Sequence, residues 1–390
     1  MSGRTPTYRV LQRGDPAPWF IQRTSGNPAY KFHTVAGRWV VLCYFATAAD
    51  RVSQEALRLT DECQSLFDDE HACFFGASVD PSDESQRRVV QRKPGIRFFW
   101  DFDGEIGRAF GVVSPELGRA PVPRDVQRHW FILDPMLRIR EAIAIAGPDG
   151  GRAKVAAAIR SLPSLDRYTQ TEAHAPILML ADIFEPELCR KLIDLYERHG
   201  GEDSGFMREV DGKTALLTDY NHKRRADYRI KDPAIVAATL ARVRRRIVPE
   251  IKKAHQFEVT RMERYIVACY DSTNGGHFGP HRDNVTKGTA HRRFAVSINL
   301  NADFDGGELM FPEYGLRRYK PAPGAAVVFS CSLLHAVTPM VSGRRFAFLP
   351  FLYNDDGARL RAANNAFLAD NVIKYAGGKL DPAPEPDARD

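Results

Sequence analysis

The chain has 390 residues, of which 44% are hydrophobic and 27% charged, with a formal net charge of +6. This length suggests two domains, each able to bury a core, and the composition is ordinary for a globular protein. No apolar stretch approaches the length needed to span a bilayer, so we expect no membrane partner.

The basic bias is mild and has two interpretations. Part of it lies in the run from Arg242 to Arg246, with Lys252 and Lys253 beyond it, which has helical spacing. Because no aromatic residues interleave this run, it is more typical of a solvated helix face than of a nucleic-acid-binding surface. A basic balance also favours an anionic substrate or cosubstrate, and we expect no nucleic-acid partner.

Cysteine usage indicates a reducing compartment. The six cysteines include no CxxC pair, and their spacing matches neither a disulfide framework nor a zinc site. Several lie in apolar runs and are predicted to be buried thiols, which favours a cytoplasmic protein. The N-terminus, MSGRTPTYRV, lacks an apolar signal core, so we expect no secretion signal. The cysteines are Cys43, Cys63, Cys73, Cys189, Cys269 and Cys331.

Alternating patterns predict strands and helices in the first 165 residues. Residues 40–45, VVLCYF, form a continuous apolar run of the kind found in a central strand covered on both faces. The alternation of such runs with helical spacing predicts a layered α/β domain over residues 1–165. In chain order, the predicted strands are 40–45, 73–79, 96–100 and 130–133, and the predicted helices are 54–67 and 154–162.

The remainder of the chain changes from helical to strand-like patterning. Residues 166–175 are polar, lack periodicity and are predicted to be a linker. Short strands with glycine-rich turns predict a sandwich or jelly roll within residues 176–360. Residues 361–390 form a C-terminal extension, whose last ten residues, DPAPEPDARD, we expect to be disordered. The predicted helices are 186–199 and 234–255, the second interrupted by Pro249, and the predicted strands are 265–270, 294–300, 308–311, 325–329 and 345–353.

Two histidines and an aspartate are spaced to bind a metal. His281 and Asp283 are two residues apart, so in an extended strand both side chains point the same way. His335 follows a predicted strand and can complete a triangle that leaves open positions on the metal. This is the ligand set of non-haem Fe(II) oxygenases. Arg345, ten residues after His335, can bind a carboxylate of a dicarboxylic cosubstrate in a two-pronged manner.

The sequence alone also allows other interpretations of these histidines. A single HxD occurs often by chance, and a lone histidine is more often a surface or core residue than a ligand. His277 and His291 also stand nearby. Zinc hydrolysis is disfavoured, because the sequence has no HExxH motif to supply a general-base glutamate. The later arginine, Arg345, favours the iron interpretation.

Residues 176–355 resemble the prolyl-4-hydroxylase-like group of 2-oxoglutarate/Fe(II) oxygenases. The motifs that carry the resemblance are CY at 269–270, HFGPHRDN, SINLN, FDGGELMFP and the segment 335–345. The resemblance implies a double-stranded β-helix, or jelly roll, with His281, Asp283 and His335 as catalytic iron ligands. It also implies Fe(II) as cofactor and 2-oxoglutarate and O2 as cosubstrates, and it allows ascorbate as an accessory reductant.

The same resemblance assigns the cosubstrate pocket. Arg345 is implied to bind the distal carboxylate of 2-oxoglutarate, while strand alternation should aim Arg344 the other way. Tyr270 corresponds to a tyrosine that hydrogen-bonds the cosubstrate in some relatives, although a plain core tyrosine is an equal alternative. Asn299 lies on a central strand and faces either this cofactor-binding pocket or solvent.

Residues 10–160 resemble the peroxiredoxin group of the thioredoxin fold, through the motifs GDPAPWF, GRWVVL, ASVD, DFDGE and RHWFILD. The resemblance implies a peroxidatic cysteine in the first turn of the helix after VVLCYF, but Ser53 stands there. Ala46 and Asp50 replace the proline and threonine that frame that cysteine, and Arg128 matches a supporting arginine. Because a serine is not ionised near neutral pH, we expect this domain to be inactive as a peroxidase. A scaffold, a dimerisation surface or a substrate-recognition lid would then be its role.

These observations favour a two-domain protein of mixed α/β and α+β class, in which a thioredoxin-like peroxiredoxin domain precedes a jelly-roll oxygenase domain. The favoured function is a dioxygenase that hydroxylates an unactivated carbon of a small molecule or an amino-acid residue, with release of succinate and CO2. The alternatives are a thiol-dependent peroxidase or redox protein and a non-catalytic two-domain interaction protein. The expected partners are a small-molecule or peptide substrate and a second copy of the chain in a homodimer.

Overall fold

A computed structural model of the protein describes residues 7–169 and 171–375. They form two compact units. The first contains the described residues up to 174 together with 312–317, and the second contains 175–311 and the described residues from 318 onward. In the described part of the chain, no helix combines the length and the apolar character needed to cross a bilayer. All six cysteines lie in described segments and are buried free thiols.

The first unit is built on one mixed sheet. Its elements are β1 (Ile21–Thr24), β2 (Asn27–Lys31), β3 (Trp39–Ala46), α1 (Arg51–Leu57), α2 (Leu59–Glu62), β4 (Ala72–Ser78), α3 (Pro81–Ser85), β5 (Ile96–Trp100), α4 (Glu105–Ala109), β6 (His129–Leu133), β7 (Ile139–Ala144) and α5 (Arg152–Arg160). Within residues 7–169, the sheet order is β2-β1-β5-β4-β3-β6-β7. The β3–β4 and β4–β5 pairs are parallel, and the β3–β6 and β6–β7 pairs are antiparallel.

The central strand β3 lies in the core of this unit. All of its residues are buried, as its continuous apolar run predicted for a strand covered on both faces. On one face, Trp39, Val41 and Phe45 belong to a core that includes residues of α1, α2 and α5. The four predicted strands of this unit are therefore confirmed, each within one or two residues of its predicted bounds.

The single helix predicted over residues 54–67 is wrong. The segment begins earlier, at Arg51, because the Asp50 side chain accepts a hydrogen bond from the Ser53 backbone N–H and caps α1. It then breaks into α1, the short α2 and a 3₁₀ turn at Gln64–Leu66. Helical spacing persists across the break because Leu59 and Cys63 still pack into the same core.

The segment predicted as a linker carries buried side chains. Tyr168 is 3% exposed and packs into the core of the first unit, and Ala175 is 8% exposed. The C-terminal sequence DPAPEPDARD, predicted to be disordered, lies outside the described residues.

The second unit combines helices with many short strands. Its elements are β8 (Leu178–Leu180), α6 (Pro186–His199), β9 (Glu202–Asp203), β10 (Phe206–Val210), β11 (Lys213–Leu217), β12 (Lys223–Arg224), β13 (Ala226–Arg229), α7 (Pro233–Arg246), α8 (Val248–His255), β14 (Arg261–Glu263), β15 (Ile266–Asp271), β16 (His277–His281), β17 (Phe294–Asn299), β18 (Phe304–Gly306), β19 (Leu309–Met310), β20 (Arg318–Tyr319), β21 (Ala326–Ser330), β22 (His335–Val337), β23 (Met340–Phe348), β24 (Phe351–Tyr353) and α9 (Asp355–Ala363).

Two sheets of the second unit carry the candidate site. Within residues 171–375, the larger sheet follows the path β14-β24-β17-β23-β15-β13-β9, with β8, β18 and β21 attached to it. The smaller sheet has the order β12-β16-β22-β19-β20. Helices α6, α7 and α8 share a hydrophobic core with strands of the larger sheet. This two-sheet architecture agrees with the jelly roll expected from the sequence.

Two predicted elements of this unit are each divided in the structure. The helix predicted over 234–255 is α7 followed by α8, with Pro249 in the first turn of α8, where a missing N–H is tolerated. The strand predicted over 345–353 is β23 followed by β24, separated by Leu349 and Pro350. The 186–199 helix is confirmed at both ends.

A buried carboxylate connects β14, α9 and the turn before β17 in the second unit. Glu263 on β14 is 7% exposed and accepts hydrogen bonds from Arg292 Nε at 2.7 Å, while its other oxygen lies 2.6 Å from Arg361 NH2 of α9. His291 Nε2 approaches the same carboxylate at 3.2 Å without hydrogen-bond geometry. Burial opposes ionisation of Glu263, but the neighbouring positive charges outweigh it and hold its pKa well below the usual range.

Replacing Glu263 with glutamine should destabilise the protein by about 3–5 kcal/mol at pH 7, because it leaves two guanidinium groups without their carboxylate. The pKa of Glu263 is depressed in the folded state, so its contribution is present above the unfolded pKa of about 4.3 and declines as pH falls below it. We therefore expect the stability difference between the two proteins to shrink below about pH 4. Urea denaturation at pH 7 and below pH 4 measures the free energy of unfolding of both proteins, and the exposed substitution Glu258→Gln is the control. Equal stabilities of wild type and Glu263→Gln at pH 7 would contradict the prediction.

Candidate functional site

The three predicted metal ligands come together in the second unit. His281 Nε2 lies 3.6 Å from Asp283 Oδ1, and His335 Nε2 lies 3.3 Å from Asp283 Oδ2. One ligand atom of each residue lies within 4.8 Å of the others, a spacing that one metal ion can bridge. The residues are positioned by the β16–β22 pair, in which His281 stands opposite His335 across a register shift.

Asp283 is placed differently from the expectation of a shared strand face. Strand β16 ends at His281, and Asp283 lies in the turn that follows. Its backbone N–H donates to the Cys331 carbonyl at 2.9 Å, which ties this turn to the residues just after β21. The carboxylate thus reaches the histidines through a turn, not through strand alternation.

Backbone hydrogen bonds orient both imidazoles. His281 Nδ1 lies 2.8 Å from the Gly279 carbonyl, and His335 Nδ1 lies 3.0 Å from the Leu333 carbonyl. Because a carbonyl only accepts, each Nδ1 carries a proton, which leaves Nε2, on the side of Asp283, as the nitrogen available to a metal. Burial also lowers the pKa of His281 well below its ordinary value, so this ring is neutral, as metal ligation requires. Two imidazoles and one carboxylate fit a non-haem Fe(II) centre with open positions.

Aromatic rings enclose the two histidines. The Phe278 ring stacks on His281 with centroids 3.5 Å apart, and Phe329 meets His335 edge-on at 4.7 Å. Both phenylalanines are buried. Rings on either side restrict imidazole rotation and keep bulk water from these faces of the site.

Arg345 is a buried guanidinium without a carboxylate partner among the described residues. It is 2% exposed, and its three hydrogen bonds go to neutral acceptors: Asn299 Oδ1 at 3.1 Å, the Gly307 carbonyl at 3.0 Å and Ser297 Oγ at 2.8 Å. A guanidinium has five N–H groups, so two have no hydrogen-bond partner in the described part of the chain. Burial lowers the pKa of Arg345, the direction expected for an uncompensated cation. This arrangement suits an incoming carboxylate.

The glycines of the FDGGELMFP motif shape the surroundings of Arg345. Gly306 has φ +74°, and a Cβ there would lie 2.2 Å from the Pro339 carbonyl oxygen, so another residue would clash. Gly307 follows with φ +67° and directs its carbonyl to Arg345. The two left-handed residues therefore supply one of the three acceptors that hold the guanidinium.

Tyr270 lies beside Arg345, and Asn299 accepts a hydrogen bond from Arg345. Tyr270 is opposite Arg345 in the β15–β23 register, and the Arg345 guanidinium carbon is 5.5 Å from its ring centroid. Asn299 accepts from Arg345 and donates to the Pro321 carbonyl at 2.9 Å, so its amide is engaged within the protein and is buried. Arg344 points elsewhere and pairs with Glu197 at 2.7 Å, as alternation predicted.

Three neighbouring residues were not predicted from the sequence. Ser297 accepts from Arg345, and its place two residues before Asn299 on β17 was the available signal. Arg225, which donates to Tyr270 Oη at 3.3 Å, and His222, whose ring centroid is 6.3 Å from that of His281, belong to a short-strand region without a recognisable pattern.

Arg225 differs from Arg345 in its charge balance. It forms two 2.7 Å bonds to Asp227, one to each carboxylate oxygen. Burial opposes the charge on both groups, but their mutual attraction outweighs it, lowering the pKa of Asp227 and raising that of Arg225. Of these two buried guanidinium groups beside Tyr270, only Arg345 is left without a carboxylate in the described structure.

In the first unit, hydrogen bonds fix the orientation of the Ser53 hydroxyl. It is 0% exposed, and its Oγ lies 2.9 Å from both the Phe45 carbonyl and Asp50 Oδ2. Arg128 NH1 lies 2.7 Å from Asp50 Oδ1 and 3.3 Å from Ser53 Oγ. Asp50 thus forms an ion pair with Arg128, which reduces the effect of the Arg128 charge on residue 53.

Introducing a cysteine by Ser53→Cys should give a poorly reactive thiol, because burial and the adjacent Asp50 carboxylate both disfavour the thiolate. Adding Asp50→Thr keeps a residue able to cap the helix and leaves Arg128 to stabilise the thiolate. We expect the double variant to alkylate with iodoacetamide at pH 7 at least about tenfold faster than the single variant. Equal rates would show that Asp50 does not control this position.

Two family models match separate parts of the chain. The model of the 2OG-Fe(II) oxygenase superfamily matches residues 265–353, and that of the AhpC/TSA family matches residues 13–142. Among curated relatives, a PKHD-type hydroxylase from Pseudomonas putida is 35% identical over 121 residues, covering 28% of this chain and 51% of the relative. Another from Stutzerimonas stutzeri is 33% identical over 103 residues, covering 23% of this chain and 45% of the relative. The chain spans about half the length of the curated relatives it matches.

Solved structures resemble each part separately. A Pseudomonas putida prolyl-4-hydroxylase is 19% identical with a TM-score of 0.36, covering 48% of this chain and 95% of that one. The peroxidoxin BcpB of Mycobacterium tuberculosis is 20% identical with a TM-score of 0.33, covering 40% of this chain and 99% of that one. The two segments matched by the family models, residues 13–142 and residues 265–353, do not overlap along the chain.

Proposed function

We propose that this protein is an Fe(II)- and 2-oxoglutarate-dependent dioxygenase whose iron ligands are His281, Asp283 and His335. The observation that carries the proposal is the pairing of this donor set with Arg345, a buried guanidinium that lacks a carboxylate among the described residues. A site that binds only a metal would not need the unpaired guanidinium of Arg345. A dicarboxylate that chelates a metal through one end needs both.

The protein residues then have separable roles. Bound Fe(II) and 2-oxoglutarate couple reduction of O2 and decarboxylation of the cosubstrate, giving succinate and CO2, to hydroxylation of a substrate C–H bond. Gly279 and Leu333 hold the imidazoles in the ligating tautomer through Nδ1. Arg345, held by Asn299 and Ser297, binds the distal carboxylate, and Tyr270 lines the same pocket.

The names of the curated relatives support a proposal for the substrate class. PKHD-type hydroxylases are the curated relatives, and we propose that this chain likewise hydroxylates an unactivated carbon, in a small molecule or in an amino-acid residue of a peptide. A mass increase of one oxygen atom in the substrate distinguishes this outcome from desaturation or ring closure, which remove two hydrogens.

Fe(II) and 2-oxoglutarate binding tests the proposal directly. Adding both to apo protein without oxygen should produce the weak visible charge-transfer band of the chelate, and subsequent oxygen should release succinate, with ascorbate supplied to keep the iron reduced. Absence of the band in folded protein would reject the proposed function.

We further propose that the first unit is inactive as a peroxidase and that the chain divides into two domains through a linker at residues 166–175, which the division of the compact units after residue 174 supports. Buried Ser53 replaces the thiol, and burial raises the pKa of Cys43, the cysteine within β3. The six free thiols also support a reducing, cytoplasmic setting. We propose that the chain is a homodimer without a nucleic-acid partner, which sedimentation of the purified protein with and without added duplex DNA would test.

A further inference from the structure

Lys223 is a buried cation of the second unit that the proposed cosubstrate pocket does not use. It is 5% exposed, and its ammonium donates to Ser204 Oγ at 2.8 Å and to the Gly205 carbonyl at 2.6 Å. An ammonium has three N–H groups, so the third lacks a nitrogen or oxygen acceptor among the described residues. Both acceptors are neutral, and neither balances the positive charge.

No carboxylate of the described residues lies within ion-pair distance of the Lys223 ammonium. The carboxylate of Asp227 is already shared by two guanidinium groups, since Arg225 bonds both of its oxygens and Arg264 lies 3.1 Å from one of them. Burial and the positive charge of Arg225 lower the pKa of Lys223 well below its ordinary value. An anion beside the ammonium would offset both effects.

Strand register places Lys223 on the same face of the smaller sheet as the metal-binding histidines. Lys223 on β12 is opposite Phe278 on β16, and Phe278 is in turn opposite Val337 on β22. Directly opposed residues of antiparallel strands share a face, and Val337 shares that face with His335, two residues earlier. The Lys223 ammonium lies 4.9 Å from the centroid of the Phe278 ring, which also stacks on His281. Lys223 therefore contacts the same aromatic ring as a metal ligand.

The strands of the two metal-binding histidines separate Lys223 from the segment that contacts Arg345. In the smaller sheet, β16 and β22 carry the histidines and stand between β12 and β19. Strand β12 carries Lys223, and β19 begins two residues after Gly307, whose carbonyl accepts from Arg345. The His281 and Asp283 side chains are 16% and 11% exposed, so a small molecule can reach the metal ligands from solvent.

We infer that Lys223 binds a carboxylate of the primary substrate, which is therefore a small organic acid. This inference rests on the proposed function. 2-Oxoglutarate has two carboxylates, and the proposed site binds one at Arg345 and the other at the metal. The remaining buried cation then pairs with an anionic group of a different molecule. Because Lys223 is only 5% exposed, a compact acid fits it better than the surface of a folded protein. Lys223 thus selects acids over neutral compounds and positions them beside the metal.

Ligand-observed NMR on the full chain tests the inference, after Fe(II) and saturating 2-oxoglutarate have been added without oxygen. The charge-transfer band is recorded first, and its absence would reject the oxygenase proposal and this inference with it. The probes are three acids, butanoate, benzoate and N-acetyl-L-leucine, each compared with its neutral amide. At least one acid should bind about tenfold or more tightly than its amide, because only the acid can pair with the ammonium.

Variants of two lysines assign that preference to Lys223. Lys223→Met removes the charge from a side chain of similar length and should weaken binding of the acid by about tenfold or more, while the 2-oxoglutarate band persists. Lys231→Met, at an exposed position of the same unit, is the matched control and should leave the affinity unchanged. If circular dichroism shows that Lys223→Met is unfolded, Lys223→Gln, which can still donate to the Gly205 carbonyl, takes its place. A band without any preference for acids, or a preference that survives loss of the Lys223 charge, would overturn the inference.

Discussion

Replacing His335 with alanine should abolish Fe(II)-dependent turnover of 2-oxoglutarate, with a loss greater than about 100-fold, because even partners outside the ligand set commonly cost 10–100-fold. His335 supplies one of three donor atoms that lie within 4.8 Å of one another. Its loss leaves one imidazole and one carboxylate, which bind Fe(II) weakly and do not define its open positions. Succinate release and the anaerobic charge-transfer band measure the two consequences separately.

A neighbouring histidine provides the control. His277 lies four residues before His281, and its nitrogens face the carbonyls of Gly275 and Asn221 and not the metal ligands. His277→Ala should therefore retain the band and most of the turnover. Asp283→Ala and His281→Ala should behave like His335→Ala. If His335→Ala retained full succinate release, the metal assignment would be wrong.

Arg345→Ala should raise the apparent Kd for 2-oxoglutarate by at least about 30-fold, because truncating one partner of a buried charge pair costs about 2–5 kcal/mol. The wild-type guanidinium is held by neutral acceptors and is ready for an anion. Arg345→Lys retains the charge but cannot form two parallel bonds, so we expect an intermediate affinity. Titration of the charge-transfer band with 2-oxoglutarate measures these values.

The adjacent arginine is a matched control for this prediction. Arg344 is partly exposed and pairs with Glu197 across the surface. Such pairs contribute at most about 1 kcal/mol, so Arg344→Ala should leave 2-oxoglutarate binding within about twofold of wild type. Circular dichroism must show that Arg345→Ala is folded, because the variant leaves Asn299, Ser297 and Gly307 with unmatched acceptors. A folded Arg345→Ala protein with wild-type affinity would contradict the assignment.

Local patterns predicted the elements whose packing is uniform along their length. Strand β3 and helix α6 were predicted almost to the residue, since one is apolar throughout and the other begins with a proline and ends at a glycine. The 54–67 segment failed for the opposite reason. Apolar side chains with helical spacing are buried there, although the helical hydrogen bonding of the backbone is interrupted. The prediction failed because hydrophobic periodicity indicates which side chains are buried and not how the backbone is hydrogen-bonded.

The candidate site likewise contains residues that the sequence predicted and residues that it did not. His281, Asp283, His335 and Arg345 were recognisable from residue type and spacing, because metal and carboxylate chemistry restrict which side chains can serve. The acceptors around Arg345 were harder to infer. Asn299 was expected to face a ligand or solvent, whereas its amide is bonded to Arg345 and to the Pro321 carbonyl.

The sequence by itself determined the order of the elements, the apolar cores and the residue types of the proposed metal triad. These are properties of composition and of short-range periodicity. Only the tertiary structure decided that His281 stands opposite His335, that Arg225 is neutralised by Asp227 while Arg345 is not, and that Lys223 contacts the same aromatic ring as His281. Those features depend on strand register and on which distant segments pack together, and no pattern confined to one stretch of chain encodes them.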